Sequence, residues 1–547
     1  MGYASPPGVW DGGRRVLDTA PILSVEGLTV ALPKGADRSL AVDNVSLELR
    51  RGEILCIVGE SGSGKSALSG AIMGAPAPGL KVVGGSVRLQ ETELTGLSER
   101  AWRRIRGNRI AMIFQEPMAA LNPVMPVGQQ IMEVFELHAT MSPAERRERA
   151  LNLIRSMQLP DPERILRSYP HQLSGGQCQR VIIAMALAMN PEVLIADEPT
   201  TALDVTTQAQ VLELIRELRT IQGHAILFIT HDFGVVAEIA DRIAVMRNGR
   251  IVEIGEARQV LTQPRHDYTR ELIAAVPSLA PPSGDASVSA ATASEKKTVL
   301  AVTALAKDYG RVRAVNEITF DLERGTTLAV VGESGCGKSS LARLIVRLTE
   351  PTSGRVEVNG KCFLTLEGSE RRASCRAVQM IFQDPFGSLN PLRTAGATIA
   401  RAAMLAGVDR RSARALASEL FDRVGLPREG LDRRPSAFSG GQKQRIGIAR
   451  ALAMNPDVLI ADESLSALDA SSQAQILDLL RKLQKELGLA ILMITHDLRV
   501  AAQISHRIAV MQAGRIVEIG PAGRVINSPE HPYTRELLHS APGRGLV

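Results

Sequence analysis

GESGSGKS, residues Gly59–Ser66, is the stretch that decides the fold. It follows the short apolar run Ile54–Val58, which reads as a strand, and it leads into Lys65–Met73, which reads as a helix. A G-x-x-x-x-G-K-[ST] loop between a strand and a helix suits phosphate. Its glycines let the backbone wrap closely, its N–H groups turn inward, and the positive end of the helix faces the anion. Gly59, Glu60, Ser61, Gly62, Ser63, Gly64, Lys65 and Ser66 are therefore expected around a nucleotide, Lys65 on its β/γ-phosphates and Ser66 on Mg²⁺.

The loop occurs twice. GESGCGKS gives Gly332, Glu333, Ser334, Gly335, Cys336, Gly337, Lys338 and Ser339 the same expected places. Other motifs recur in the same order: LSGGQ (Leu173–Gln177) as FSGGQ (Phe438–Gln442), VLIADE (Val193–Glu198) as Val458–Glu463, and ITHD (Ile229–Asp232) as Ile494–Asp497. The offset is 273 residues from Gly59 to Gly332, 268 from Gln115 to Gln383, and 265 for the later motifs. Small net deletions between motifs account for these steps. A repeat of this length means two copies of one domain on one chain.

The expected organisation is an N-terminal extension over 1–21, copy one over 22–277, a linker over 278–298 and copy two over 299–547. The linker, SLAPPSGDASVSAATASEKK (Ser278–Lys297), is rich in Ser, Ala and Pro and cannot bury a core, so it reads as flexible. Within each copy the fold class is α/β. Ser24–Leu32 and Leu40–Leu49 read as strands of an antiparallel layer. Apolar runs alternating with helices, such as Val211–Leu218 followed by Ala225–Ile229, imply a parallel sheet covered on both faces. The stretch between Gln115 and Leu173 reads as a smaller helical subdomain.

Composition narrows the class. The 547 residues are 45% hydrophobic and 22% charged, which is ordinary for a globular protein. No apolar run reaches the roughly 18–20 residues of a membrane span; Val181–Met189 reads as buried helix. Residues 1–21 have no apolar stretch of the secretory-signal kind. The net charge of +6 is scattered, as in RRIRGNR (Arg103–Arg109), and no basic module with interleaved aromatics points to nucleic acid. Five cysteines without a CxxC pair fit a reducing compartment better than a disulfide framework or zinc site.

Each VLIAD run reads as a buried strand ending in a carboxylate. Asp197 and Asp462 are expected on Mg²⁺, and the following Glu198 and Glu463 can polarise an attacking water as general bases. His231 and His496, each after an apolar strand, are expected near the γ-phosphate and that water. Gln115 and Gln383, in IFQEP and IFQDP, are expected to contact both Mg²⁺ and the γ-phosphate. The signature run Ser174, Gly175, Gly176, Gln177 and its repeat Ser439, Gly440, Gly441, Gln442 offer a hydroxyl and close backbone amides ahead of a helix. They form a second anion site.

This combination resembles the nucleotide-binding domain of ABC transporters over nearly all of both copies. The resemblance implies two tandem RecA-like cores, each with an antiparallel β layer and a helical subdomain, hydrolysing ATP with Mg²⁺. It further implies an intramolecular head-to-tail dimer in which the Gly59–Ser66 loop pairs with Ser439–Gln442 and Gly332–Ser339 with Ser174–Gln177. Asp204 and Asp469 would lie across the same interface. The tails RHDYTREL (Arg265–Leu272) and EHPYTREL (Glu530–Leu537) resemble ATPase subunits of bacterial importers for dipeptides, oligopeptides, glutathione, opines and nickel. Two separate permease subunits, a solute-binding protein outside the cell and a peripheral place on the cytoplasmic face of the plasma membrane follow from that resemblance. Met118–Val127 and Phe386–Arg393 would be the coupling surface. A soluble twin ATPase acting on the ribosome is the competing reading. Such proteins carry a long, charged, helical linker, which Ser278–Lys297 is not, and the YTREL tails have no purpose there.

The copies depart from the family pattern in places. Tyr309 fits the aromatic that stacks on adenine, but Leu32 stands there in copy one, so looser nucleotide binding is expected at the first site. Ser464 and Leu465 replace Pro199 and Thr200, which puts the loop geometry after Glu463 in question. Some relatives carry cysteine-rich iron–sulfur extensions; residues 273–298 and 538–547 contain no cysteine, so no cluster is expected. Cys336, at a helix N-terminus, is expected to favour thiolate and to react with maleimide.

Overall fold

The computed structural model describes residues 10–11, 14–15, 20–36, 38–115, 117–200, 203–277, 279, 297–465 and 468–543. Most of the expected N-terminal extension and of the linker lies outside these residues. The chain divides into two compact units whose boundary falls between Ala274 and Ala275.

In the first unit, Pro21–Ala31 pairs antiparallel with Leu40–Arg50 on one side and with Lys81–Leu89 on the other. Ile54–Val58 then enters a six-stranded sheet. Its order is Arg250–Glu256, Arg242–Arg247, Ile54–Val58, Ala225–Thr230, Val193–Asp197, Ile110–Ile113. All neighbours run parallel except the outermost pair, Arg242–Arg247 with Arg250–Glu256. The second unit repeats the order with Arg515–Pro521, Arg507–Gln512, Thr327–Val331, Ala490–Thr495, Val458–Asp462 and Val378–Ile381.

The sheet strands read as unbroken apolar runs because both faces are covered, and successive side chains take opposite faces. In the first unit Leu55, Ile57, Val193, Ile195, Leu227 and Ile229 join one core with Leu23, Val25 and the helix Lys65–Ile72. In the second, Leu328, Val330 and Leu492 face that layer, while Ala329, Val331, Ile491 and Met493 face the helical side. The helix expected over Val211–Leu218 is longer, Val205–Gln222, because its polar first turns lack the apolar spacing that marks its centre.

The helical subdomain consists mainly of Val127–His138, Pro143–Ser156 and Pro162–Arg167. Ser142 starts the second of these with a reciprocal cap. Its Oγ accepts from Glu145 N–H, and its own N–H donates to the Glu145 carboxylate. Among the described residues no helix is long and apolar enough to cross a membrane.

Candidate functional site

Parallel strands put all their carboxyl ends on one edge, and the expected site residues collect there. In the first unit Ile54–Val58 runs into the phosphate loop, its neighbour Ala225–Thr230 leads to His231, the next strand ends at Asp197 with Glu198 after it, and Ile110–Ile113 leads toward Gln115. Residues from 59 to 231 thus meet through sheet order.

The loop is wound against the rest of the unit. A Cβ at Gly59 would stand 2.2 Å from Met246 O, and one at Gly64 2.3 Å from Ala41 O; Gly332 and Gly337 meet Met511 O and Ala314 O at 2.2 and 2.1 Å. Gly64 and Gly337, at φ 109 and 107, precede the helices Lys65–Ile72 and Lys338–Ile345. Only glycine fits such a close approach in that backbone region. Lys65 Nζ donates to Gly59 O (2.7 Å) and Glu60 O (2.9 Å), and Lys338 Nζ to Gly332 O (2.8 Å) and Glu333 O (2.7 Å). Both lysines are buried within their loops.

Ser66 Oγ lies 3.3 Å from Asp197 Oδ1, and Ser339 Oγ 3.1 Å from Asp462 Oδ1. Burial pushes both aspartates above the ordinary carboxylate range, against the lowering effect of the serine hydroxyls. A desolvated carboxylate beside a hydroxyl is a hard-oxygen pair that fits Mg²⁺, which takes one or two carboxylates with phosphate oxygens rather than a protein cage. Among the described residues no three His, Cys, Asp or Glu side chains converge as a self-sufficient metal site.

Glu198 and Glu463 sit in left-handed backbone at φ 47 and 42. That conformation costs a non-glycine residue about 1–2 kcal/mol. It is held by Glu198 N–H donating to Ile229 O and Glu463 N–H to Ile494 O, both 2.9 Å. The carboxylates are thereby presented between glutamine and histidine. Gln115 Nε2 donates to Glu198 Oε2 (2.9 Å) and Gln383 Nε2 to Glu463 Oε2 (2.8 Å). His231 Nδ1 is 3.3 Å from Glu198 Oε1, and His496 Nδ1 3.7 Å from Glu463 Oε1. Burial lowers the His231 pKa, but the hydrogen bond and charge of Glu198 outweigh it and leave the imidazole above its ordinary value. Burial likewise raises Glu463, and His496 with Lys338 outweighs it, leaving that carboxyl below the usual range. The replacement of Pro199-Thr200 by Ser464-Leu465 leaves the turn after the two glutamates alike through residues 200 and 465.

Ser174 and Ser439 cap the helices Gly175–Leu187 and Gly440–Leu452. Each Oγ accepts from the N–H of Gln177 or Gln442 (3.3 Å), and that glutamine's Oε1 accepts from the serine N–H (3.0 Å). Gly175, Gly176, Gly440 and Gly441 form the first turns. Tyr309 ends the strand Thr298–Tyr309 and is 46% exposed, whereas Leu32 is half-buried against the core. Near the two glutamines in sequence, Phe114, Met118, Val124, Phe382 and Leu392 are exposed; the Phe386 side chain lies outside the described residues.

Cys336 corrects an expectation. It is buried in the apolar core beside Leu341 and Met511, and burial pushes its thiol up despite the nearby Lys338 charge. Position in a phosphate loop does not tell which way a side chain points, and this one points inward. Sequence reasoning also missed four contributing residues. Arg38, in a loop longer than its counterpart in copy two, donates to Gly62 O at 2.5 Å. Ser69 Oγ lies 3.3 Å from Asp197 Oδ2, where copy two has Ala342. Tyr268 and Tyr533 of the tails reach Glu60 and Glu333 of the loops. The repeated YTREL tail was the one available signal for these.

Two stretches, residues 42–201 and 315–466, match the family described as ABC transporter. Residues 252–299 and 517–544 match the family described as oligopeptide/dipeptide transporter, C-terminal region. The chain is similar to the glutathione import ATP-binding protein GsiA of Salmonella choleraesuis (strain SC-B67), with 46% identity over 96% of this chain and 90% of that one. It is 45% identical to GsiA of Escherichia coli O6:H1 over the same shares. Among solved structures it is similar to a dimeric ATP-binding cassette bound to ADP and Pi, with a TM-score of 0.40, 31% identity, and coverage of 43% of this chain and 99% of that one.

Proposed function

The chain belongs to the ABC transporter family as an ATP-binding protein whose ATPase activity is coupled to transport, and on that footing we propose that it energises a bacterial importer of peptides or a related small solute. Dipeptides, oligopeptides, glutathione and opines are the solute classes in view. The observation that carries the reading is the oligopeptide/dipeptide-type C-terminal region, present after both copies of the ATPase core. The likeness to glutathione import proteins supports the small-peptide end of that range.

The steps assigned to this chain follow from its site. The loop amides and the positive end of the helix Lys65–Ile72 bind the phosphates, and Lys65 exchanges its loop carbonyls for β/γ-oxygens; Lys338 does so in copy two. Ser66 with Asp197, and Ser339 with Asp462, would hold Mg²⁺, which neutralises phosphate charge when bound. Gln115 and Gln383 would add contacts to the metal and the γ-phosphate. Glu198 and Glu463 orient and deprotonate the attacking water, with His231 and His496 positioned beside them and toward the γ-phosphate. Ser174–Gln177 and Ser439–Gln442 supply the further anion contacts, and Tyr309 stacks on adenine in copy two. ATP-dependent closing of the two copies then drives two separate permease subunits at the cytoplasmic face of the membrane. Met118, Val124 and Leu392 belong to the docking face for those subunits.

The test is reconstitution with a permease pair and solute-binding protein of the peptide-importer type. Dipeptide or glutathione uptake should require ATP and rise with the loaded binding protein. ATPase activity stimulated by ribosomes and indifferent to the permeases would overturn the reading in favour of a ribosome-acting twin ATPase.

A further inference from the structure

The tail motif is a repeated sequence feature to which the ATPase chemistry assigns no task, and in both copies it touches the phosphate loop. The Tyr268 phenol oxygen accepts the N–H of Glu60 at 3.3 Å, and that of Tyr533 accepts the N–H of Glu333 at 3.2 Å. These partners are 208 and 200 residues apart in sequence. The peptide unit concerned is the one whose carbonyl, Gly59 O or Gly332 O, accepts from the loop lysine. A single peptide is therefore gripped at both ends, by the phosphate-binding lysine at its oxygen and by the tail tyrosine at its N–H.

The rest of the motif holds the tyrosine in place. His266 Nδ1 accepts the N–H of Tyr268 (3.1 Å), and His531 Nδ1 that of Tyr533 (3.2 Å). Glu253, on the edge strand Arg250–Glu256, accepts from the N–H groups of Arg265 (2.9 Å) and His266 (3.0 Å). Glu518 accepts from Glu530 and His531, both at 3.0 Å. The chain of contacts runs from edge strand to histidine to tyrosine to loop. Both rings are buried, and burial pushes the Tyr268 hydroxyl up to about 12 and the Tyr533 hydroxyl up as well, so each stays a neutral phenol.

We propose that Tyr268 and Tyr533 are positioning residues of the two ATP sites, fixing the entry peptide of each phosphate loop through the C-terminal tail. A loop fixed before ATP arrives has less freedom to lose on binding. The tail is then part of the nucleotide site as well as a mark of the importer group. The proposal rests on the ATP-binding reading above.

The experiment uses the full chain with Tyr268→Phe, Tyr533→Phe and both together, which keep the ring and remove only the hydroxyl. A hydrogen bond of ordinary net strength corresponds to about fivefold in an equilibrium constant. The dissociation constant of a non-hydrolysable ATP analogue should rise about fivefold at the altered site, and KM with it. The kcat at saturating ATP and the melting temperature should hold. An unchanged or lowered dissociation constant in both single variants overturns the proposal, as does a fall in kcat with KM fixed. Should the variants fold poorly, amide exchange in the parent chain decides. A Glu60 amide exchanging at the unprotected rate in folded protein overturns the proposal, and a protected one supports it. Failure of the parent chain to bind the analogue at all would instead defeat the ATP-binding reading.

Discussion

Replacing Glu198 and Glu463 together by glutamine is the sharpest perturbation of the proposed chemistry. Each carboxylate side chain is only 12% exposed. One oxygen of each accepts from glutamine at 2.9 or 2.8 Å, and the other faces histidine at 3.3 or 3.7 Å. Glutamine keeps the shape, the left-handed backbone and one acceptor, but it cannot take a proton from water. Losing a positioned general base costs about 10²–10⁴ in rate, which is about 2.7–5.5 kcal/mol in the barrier. ATP binding is carried by loop amides and lysine, so the dissociation constant should stay within about threefold of the parent. Phosphate release at saturating ATP and Mg²⁺, with nucleotide binding by equilibrium dialysis, measures both. Turnover in the double variant within about tenfold of the parent would refute the assignment, because Glu198 and Glu463 are the carboxylates that contact both glutamine and histidine.

Tyr309→Leu should weaken nucleotide binding at the second site by about 0.5–1.5 kcal/mol, the value of a lost aromatic stack. Equal affinities of the two sites in the parent, each read with the other inactivated, would contradict the difference drawn between Leu32 and Tyr309. Cys336 is buried with a raised thiol pKa, so maleimide should label the half-buried Cys362 and Cys375 first. Rapid labelling of Cys336 with loss of ATPase would show the loop to be more open than described. Burial raises the Glu253 and Glu518 pKa values, but backbone N–H groups of Arg265, Glu530 and the tail histidines outweigh it and hold both below the usual range. A carboxyl lowered in the folded state contributes stability above its unfolded pKa and loses it as pH falls through the folded value. Amide exchange should therefore show the tails docked at pH 6 and loosening below about pH 4; Glu253→Gln should abolish that dependence in the first tail, and its persistence there would exclude Glu253. The Arg247 guanidinium lies 4.5 Å from the Tyr268 ring centroid, where the second copy has Gln512. Arg247→Gln should loosen the first tail by about 0.5–1 kcal/mol, and tails that already exchange alike in the parent would count against it.

The strand, loop and helix around Gly59–Ser66 were legible because each is a local pattern: an apolar run, three glycines, a lysine, an apolar face. That Gln115, Glu198 and His231 serve one site was legible from their places after apolar strands and from the repeat, but their mutual contacts were not, since a period of two residues says that a strand is buried but not which strand lies beside it. The same limit hid Tyr268 and Tyr533 and misdirected the reading of Cys336, where burial and not helix position sets the thiol. What the duplication adds is a comparison of supports against a fixed chemistry. Lysine, serine, aspartate, glutamate, glutamine and histidine coincide at both sites. The groups behind them do not: Ser69 becomes Ala342, Arg247 becomes Gln512, and Leu32 becomes Tyr309. A residue that touches reacting atoms cannot change without loss of the reaction, whereas a supporting residue can change and shift only an affinity. The two sites should therefore differ first in how tightly they hold nucleotide, and the tail tyrosines, identical in both copies, are supports that the sites share and so add nothing to that difference.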